Sequence, residues 1–422
     1  VTVRPRLRAK PKSVSRRRLK LKLCLAGCSL LFSVVLVEAG LRLAGVEFSS
    51  HTRWDRHRGF ATVPNSTWKH DTEGESDIRI NRFGFRDENW SVNADDETVR
   101  VAVLGDSFVA AHEVDEDERF TELLEEELDS ATNSARVNVM NFGVRGYGTA
   151  QELMTYRHVV RDFDPDVVLL AVFTGNDIVN NCRALQGAAK RPYFDLRNDR
   201  LVLDETFRTD VKVRSRRVLQ TLSTHSRAVQ VIHRVGCLLM GKRAHHQGRL
   251  HQRLFQAGLK KSCWVEHELY LEPVNGVWQR AWRVTEHLIA RLRDEVERDG
   301  AELRVVVLSN PCQVHPDEAF RTALCDAAEI DNLFYPDRRL RQMCREEDID
   351  ILALAPKMQR QADETGVWYH GFENCEVGIG HWNESGHAIA ADLISDWLLD
   401  ESGLSPELDA VRHASAAERA TH

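Results

Sequence analysis

Five short apolar runs along the chain alternate with stretches whose apolar residues recur at three- and four-residue spacing. The runs are Arg100–Leu104, Val137–Asn141, Val167–Phe173, Leu303–Leu308 and Ile349–Ala353. Each is the length of a strand and too uniformly apolar to have one face in water, which predicts strands buried on both sides. The periodic stretches Glu118–Leu128, Thr149–Val160, Trp278–Arg298, Asp337–Glu346 and Glu384–Leu399 read as helices. Strand and helix in alternation predict an α/β fold of three layers, with a mostly parallel sheet of roughly five strands between helices.

Other segments break this rhythm. Residues 1–22 are a basic tail, and residues 23–46 are an apolar segment whose uninterrupted part is Leu23–Val37. Fifteen apolar or small residues fall short of the roughly 20 that a membrane-spanning helix needs. The segment is long enough if "EAGLRLAGV" continues it, with Glu38 and Arg42 one turn apart on the same helical face. The same features fit a cleaved signal peptide, for which Val37-Glu38-Ala39 offers a tolerable small-residue site. The longer continuation favours a retained anchor. In either case the Lys/Arg excess ahead of the apolar run keeps the amino terminus cytoplasmic and puts the remainder outside, in a periplasmic or cell-surface location. Residues 47–97 are polar and turn-rich, a lead-in expected to pack on the main domain at 98–400, and residues 401–422 read as a flexible tail. Within the main domain, residues 207–261 form a basic helical insertion, in which thirteen Lys/Arg face the single acid Asp210. Its plain reading is a solvated or ion-paired face; the sharper ones are a helix resting on anionic headgroups, or a lid.

Composition narrows the class. With 422 residues, 42% hydrophobic and 29% charged, the chain is long enough for a large core and is not a disordered sequence. Its formal charge is -7, and the ten Lys/Arg of residues 1–22 conceal an even more acidic body, which argues against a nucleic-acid partner. Nine cysteines are present, two of them (Cys24 and Cys28) within the apolar segment. No spacing suggests zinc, no cofactor motif is found, and structural cysteines are the expectation.

In an open parallel sheet, ligands gather beyond the carboxyl ends of the strands. Those ends deliver Gly105-Asp106-Ser107, then "NFGVRGYGTAQ" from Asn141, then "TGNDIVNN" from Thr174. The loops hold a hydroxyl nucleophile, glycines with bare backbone N–H groups, and an amide side chain, which are the parts of an acyl-transfer site. A base is available in "GIGHWNESGHAIAADLI", where His381 lies in a loop, Asn383 can cap the following helix, and His387 falls inside that helix. Asp106 and Asp177 read as loop-closing side chains.

These residues resemble the SGNH hydrolases, also called GDSL esterases and lipases, in their membrane-anchored bacterial form. "GDSF" with Ser107, "GVRGYGT" with Gly146, "GND" with Asn176 and "HWNESGH" with His381 match the four blocks of that family in order. The likeness covers residues 98–400, and "INRFGFRD" after "EAGLRLAG" adds to it. It implies a flavodoxin-like sheet and catalysis by Ser107 and His381 through an acyl-enzyme. The oxyanion hole would be formed by the N–H groups of Ser107 and Gly146 with the Asn176 side chain. It also implies an ester substrate, an O-acetyl group on a cell-surface carbohydrate, that is hydrolysed or transferred without metal or cofactor. One element departs from the pattern: the acid expected two or three residues before the base is replaced by Ile379 and Gly378. Glu376, five residues before His381, is the remaining local candidate for a third member. The departure also keeps open a non-catalytic glycan-binding or envelope-assembly protein, and the basic insertion keeps open a lipid esterase.

Overall fold

The computed structural model describes residues 16–46, 48, 50–92, 98–131, 136–240 and 267–401. The sequence expectations for residues 1–15, for the second part of the basic insertion with His245, His246, His251 and Cys263, and for the tail from 402 lie outside the described residues. The chain divides into two compact units, residues 1–50 with 215–244, and the remainder.

The larger unit is built on a five-stranded parallel sheet. Its strands are β5 (Thr98–Leu104), β6 (Arg136–Asn141), β7 (Val167–Val172), β10 (Glu302–Val307) and β11 (Asp350–Ala353), in the order β11-β10-β7-β5-β6. Register pairs Val101 with both Val139 and Val167, and Val306 with Ala171 and Leu352. Val101 through Leu104 and Val168 through Leu170 are wholly inaccessible, because helices cover both faces. One face packs on the helices Thr149–His158 and Gly276–Arg298, with Trp282, Leu288 and Leu292 in the core. The other packs on Phe120–Ala131, Leu354–Thr365 and Glu384–Asp396. This is the three-layer α/β/α arrangement, with the helices within a few residues of where periodicity puts them.

Three antiparallel hairpins decorate this core. In the lead-in, β1 (Thr52–Asp55) pairs with β2 (Gly59–Thr62), and β3 (Thr67–His70) pairs with β4 (Ser76–Arg79). Between the sheet and the basic insertion, β8 (Tyr193–Arg197) pairs with β9 (Arg200–Asp204) across Asn198 and Asp199, both at positive φ. Two consecutive left-handed residues are what a tight hairpin turn with the twist of its strands requires.

The smaller unit contains the helix Arg16–Leu43, of which Arg18–Leu43 is long and apolar enough to cross a membrane or act as a signal sequence. With it are the described residues of 215–240, including the helix Arg227–Met240. Among the described residues, Cys24, Cys28, Cys182, Cys312, Cys325, Cys344 and Cys375 form no disulfide.

Candidate active site

Three strand ends and one distant loop bring the predicted residues together. β5 ends at Leu104, and Gly105 and Asp106 lead directly into a one-turn helix, Ser107–Ala110. Asp106 caps that turn by accepting from the Phe108 N–H at 2.9 Å, so the chain reverses sharply and leaves Ser107 on its first residue. A side chain on Gly105 would collide with Val109 and with the Ala171 carbonyl of β7, which is why the residue before the turn has none.

Ser107 Oγ lies 2.9 Å from His381 Nε2, although the two residues are 274 apart in sequence. The base is held by its neighbours on both sides. Its carbonyl accepts from the Gly371 N–H at 2.9 Å, and the carbonyl of Gly380 meets His370 Nδ1 at 2.8 Å. His370 Nε2 in turn meets Ser309 Oγ at 3.0 Å, and the same hydroxyl accepts from the Trp382 indole at 2.8 Å. Trp382 is fully buried against Phe108 and Phe120. His370 and His387 are also fully enclosed, and burial lowers each to a pKa of about 3, so both stay neutral beside His381.

The partner of the other ring nitrogen lies far upstream. Glu73, at the tip of the β3–β4 hairpin, places Oε2 2.8 Å from His381 Nδ1 and accepts the His381 backbone N–H on Oε1 at 2.5 Å. Glu376 does not take this place; its position at the edge of the loop is exposed to solvent, and Nδ1 is already engaged by Glu73. The hairpin tip is fixed by a reciprocal pair of hydrogen bonds, Gly74 N–H to Asn374 Oδ1 at 3.0 Å and Asn374 Nδ2 to the Gly74 carbonyl at 2.7 Å. Gly74 has φ +69, and a side chain there would strike the Glu113 carbonyl. Ser76 adds a bond to the His112 carbonyl at 2.7 Å.

Glu113 is a second acid that sequence reasoning missed. Its side chain is almost wholly buried, its Oε1 lies 3.4 Å from His381 Nδ1, and Arg145 of the glycine loop donates to it. Burial works against a charged His381, but the negative Glu113 and Glu73 outweigh it and hold the imidazole above its ordinary pKa. Burial likewise pushes Glu73 up, and its bonds from His381 pull it below the ordinary carboxylate value. Glu73, Glu113 and His381 present donor atoms within 4.8 Å of one another, a set that could hold a metal ion. Here Nδ1 is taken up by Glu73, and Arg145 already supplies the positive charge beside Glu113, so the arrangement is complete as a hydrogen-bonded acid pair behind an imidazole.

Gly146 sits in the loop after β6 at φ +75, its carbonyl held by Arg191 Nη2 at 2.8 Å. Among the described residues, neither its N–H nor that of Ser107 has an intramolecular acceptor. Asn176 follows β7, and its Nδ2 donates to Asp106, which fixes the amide with one further N–H to give. Asp177 closes that loop by accepting from the Phe173 N–H at 2.8 Å. Behind these loops Asp106, Asp177 and Glu152 are completely buried, and burial raises all three, Asp177 and Glu152 well above the carboxylate range. Among the described residues neither oxygen of Glu152 has a hydrogen-bond partner, so burial and the neighbouring Asp106 both favour its neutral form.

No family model matches the chain, and no curated protein does. Among solved structures it is similar to the acetyl xylan esterase AlAXEase, at 12% identity and TM-score 0.35, over 70% of this chain and 98% of that one. A structure described as a lipolytic protein of the G-D-S-L family from Desulfitobacterium hafniense DCB-2 aligns at 10% identity and TM-score 0.32, over 70% and 98% of the two chains. A catalytic mutant of Axe2, an acetylxylan esterase from Geobacillus stearothermophilus, aligns at 10% identity and TM-score 0.33, over 70% and 92%.

Proposed function

We propose that this chain is a serine esterase of the SGNH type, cleaving or transferring an acyl group through Ser107. The observation that carries the reading is the continuous relay from Ser107 Oγ to His381 Nε2 at 2.9 Å and from His381 Nδ1 to Glu73 at 2.8 Å. A serine hydroxyl is a poor nucleophile at neutral pH, and a hydrogen-bonded imidazole whose far side is held by a carboxylate is the standard means of activating it.

In the proposed cycle Ser107 Oγ attacks the ester carbonyl carbon while His381 Nε2 takes the hydroxyl proton. The imidazolium so formed faces Glu73 and Glu113, which stabilise its charge. The oxygen of the tetrahedral intermediate is received by the Ser107 and Gly146 N–H groups and the Asn176 amide. Collapse expels the alcohol, protonated by His381, and leaves an acyl-enzyme. Water, activated by the same histidine, then releases the acid, or a second hydroxyl takes the acyl group. The four-block resemblance supports an O-acetylated cell-surface carbohydrate as the substrate. The apolar helix at Arg18–Leu43 supports action at a membrane, with the site on its outer side.

The test is covalent. A fluorophosphonate probe should label the full chain at one residue, mapped to Ser107 by mass spectrometry, and His381→Ala should slow that labelling severely. Labelling at another serine, or none under conditions that label a control esterase, rejects the reading. Asn176→Ala should lower kcat/KM for p-nitrophenyl acetate by about 10²–10³, the usual cost of one oxyanion donor.

A further inference from the structure

The basic insertion takes no part in the proposed chemistry, and Glu38 is an acid in an apolar helix where a carboxylate is costly. The smaller unit links the two. Glu38 accepts from Ser226 Oγ at 2.9 Å, from the Arg227 N–H at 3.1 Å and from the Ala228 N–H at 3.2 Å, while Arg42 lies one turn on at 2.7 Å. It therefore caps the first turn of Arg227–Met240, whose first N–H groups have no partner within the helix and carry partial positive charge. Gln230, buried, accepts from the Phe48 N–H at 2.9 Å and donates to the Ser223 carbonyl at 2.8 Å. The two segments are thus joined at a defined level of the apolar helix.

For a helix Arg18–Leu43 that spans a membrane, that level falls at the edge of the hydrocarbon. At about 1.5 Å per residue, a core of about 30 Å takes up about 20 residues. Counted from Lys20, whose long side chain can reach back to the interface, it ends near residue 39. On either side of this joint in sequence, the helices carry apolar side chains turned to solvent: Val218 is 62% exposed, Leu222 52%, Ile232 70% and Val235 47%. Val218 and Leu222 are four apart on one helix, and Ile232 and Val235 are three apart on the other, so each pair forms a stripe. The same segment of sequence contains Arg216, Arg217, Arg227 and Arg234, with no acid between residues 211 and 240.

We propose that residues 215–240 form an interfacial foot on the leaflet at the carboxyl end of Arg18–Leu43, with the apolar stripes in the acyl boundary and the arginines among anionic headgroups. Exposed apolar residues on a segment whose own formal charges are all positive, hinged to the rim of a spanning helix, match the chemistry of that surface. The inference rests on the apolar helix being a membrane span and is independent of the esterase reading.

The experiment uses the full chain in nanodiscs of phosphatidylcholine, with and without about 30% phosphatidylglycerol. The photocrosslinker p-benzoylphenylalanine is placed at Ile232, at Leu31 within the span as a positive control, and at the exposed hairpin residue Arg200 as a negative control. Phospholipid adducts found by mass spectrometry at Leu31 and Ile232 but not at Arg200 are expected. Phosphatidylglycerol should raise the Ile232 yield at least about fivefold, the effect of a single arginine at an anionic surface. In Arg216→Glu/Arg217→Glu/Arg234→Glu that rise should disappear. Lipid captured at Leu31 and not at Ile232 overturns the foot; no lipid at Leu31 overturns the span beneath it. A yield at Ile232 indifferent to phosphatidylglycerol overturns the headgroup pairing.

Discussion

Ser107→Ala is expected to lower kcat for p-nitrophenyl acetate by about 10⁶, and His381→Ala by a similar factor, with the double variant no worse than either. The shared magnitude follows from the geometry. The hydroxyl and the imidazole are one hydrogen bond apart at 2.9 Å and act as a single unit, so removing one leaves the other with nothing to do. Residual turnover should sit about 10³–10⁴ above the uncatalysed rate, sustained by substrate binding and by the N–H groups of Ser107 and Gly146. Steady-state kinetics on the three variants, with circular dichroism to show retained fold, is the measurement. Additive losses would mean that the two side chains work separately and would reject the relay. Ser107 stands at the first residue of its turn, and the cap on that turn comes from Asp106, so alanine should fold normally.

Glu73→Gln should lower kcat by about 10⁴ with little change in KM, although it alters a residue in a hairpin outside the sheet. The amide retains shape but can offer an N–H to Nδ1, which selects the tautomer with its proton on Nε2, the nitrogen that must accept from Ser107. The pH profile should move as well. His381 must be neutral to act as base, and its pKa lies above the ordinary value because Glu113 and Glu73 favour the imidazolium against the cost of burial. The wild-type rate should therefore fall with acid through a midpoint above about 6.5. Loss of either negative charge lowers that midpoint, so the acid limb of kcat/KM in Glu73→Gln and in Glu113→Gln should shift toward lower pH. Glu376→Gln should leave both rate and profile unchanged. A shift in the Glu376 variant, or an unmoved limb in the other two, would contradict the assignment of Glu73 and Glu113.

The central sheet was legible because strands buried on both sides need unbroken apolar runs, and Val101–Leu104 and Val167–Val172 are just such runs. The hairpins were not. β3 has alternate residues exposed and half-buried in a polar stretch, and β9 is half-buried at most, so alternation hardly stands out. The turn Asn198-Asp199 is a hairpin signal in hindsight, but its flanking strands are too polar to lend it weight. Ser107, Gly146, Asn176 and His381 could be proposed because each sits in a short block at a strand end or loop. Glu73 has no such block, since a carboxylate at a hairpin tip can reach an imidazole 308 residues away only through the fold. The one available signal was negative, the missing acid before His381, together with Gly74 in a turn-rich lead-in. Glu113 was harder still, six residues past Ser107 in a segment with no motif.

The reciprocal bonds between Gly74 and Asn374 clamp the hairpin against the loop of the base. On the proposed mechanism the hairpin is therefore a working part and not a decoration: it carries the acid that orients the ring, while its lead-in neighbours Phe60, Phe85 and Asp87 bind it into the main body. Anything that pried the clamp open would, on that mechanism, leave Ser107 and His381 without the carboxylate behind them.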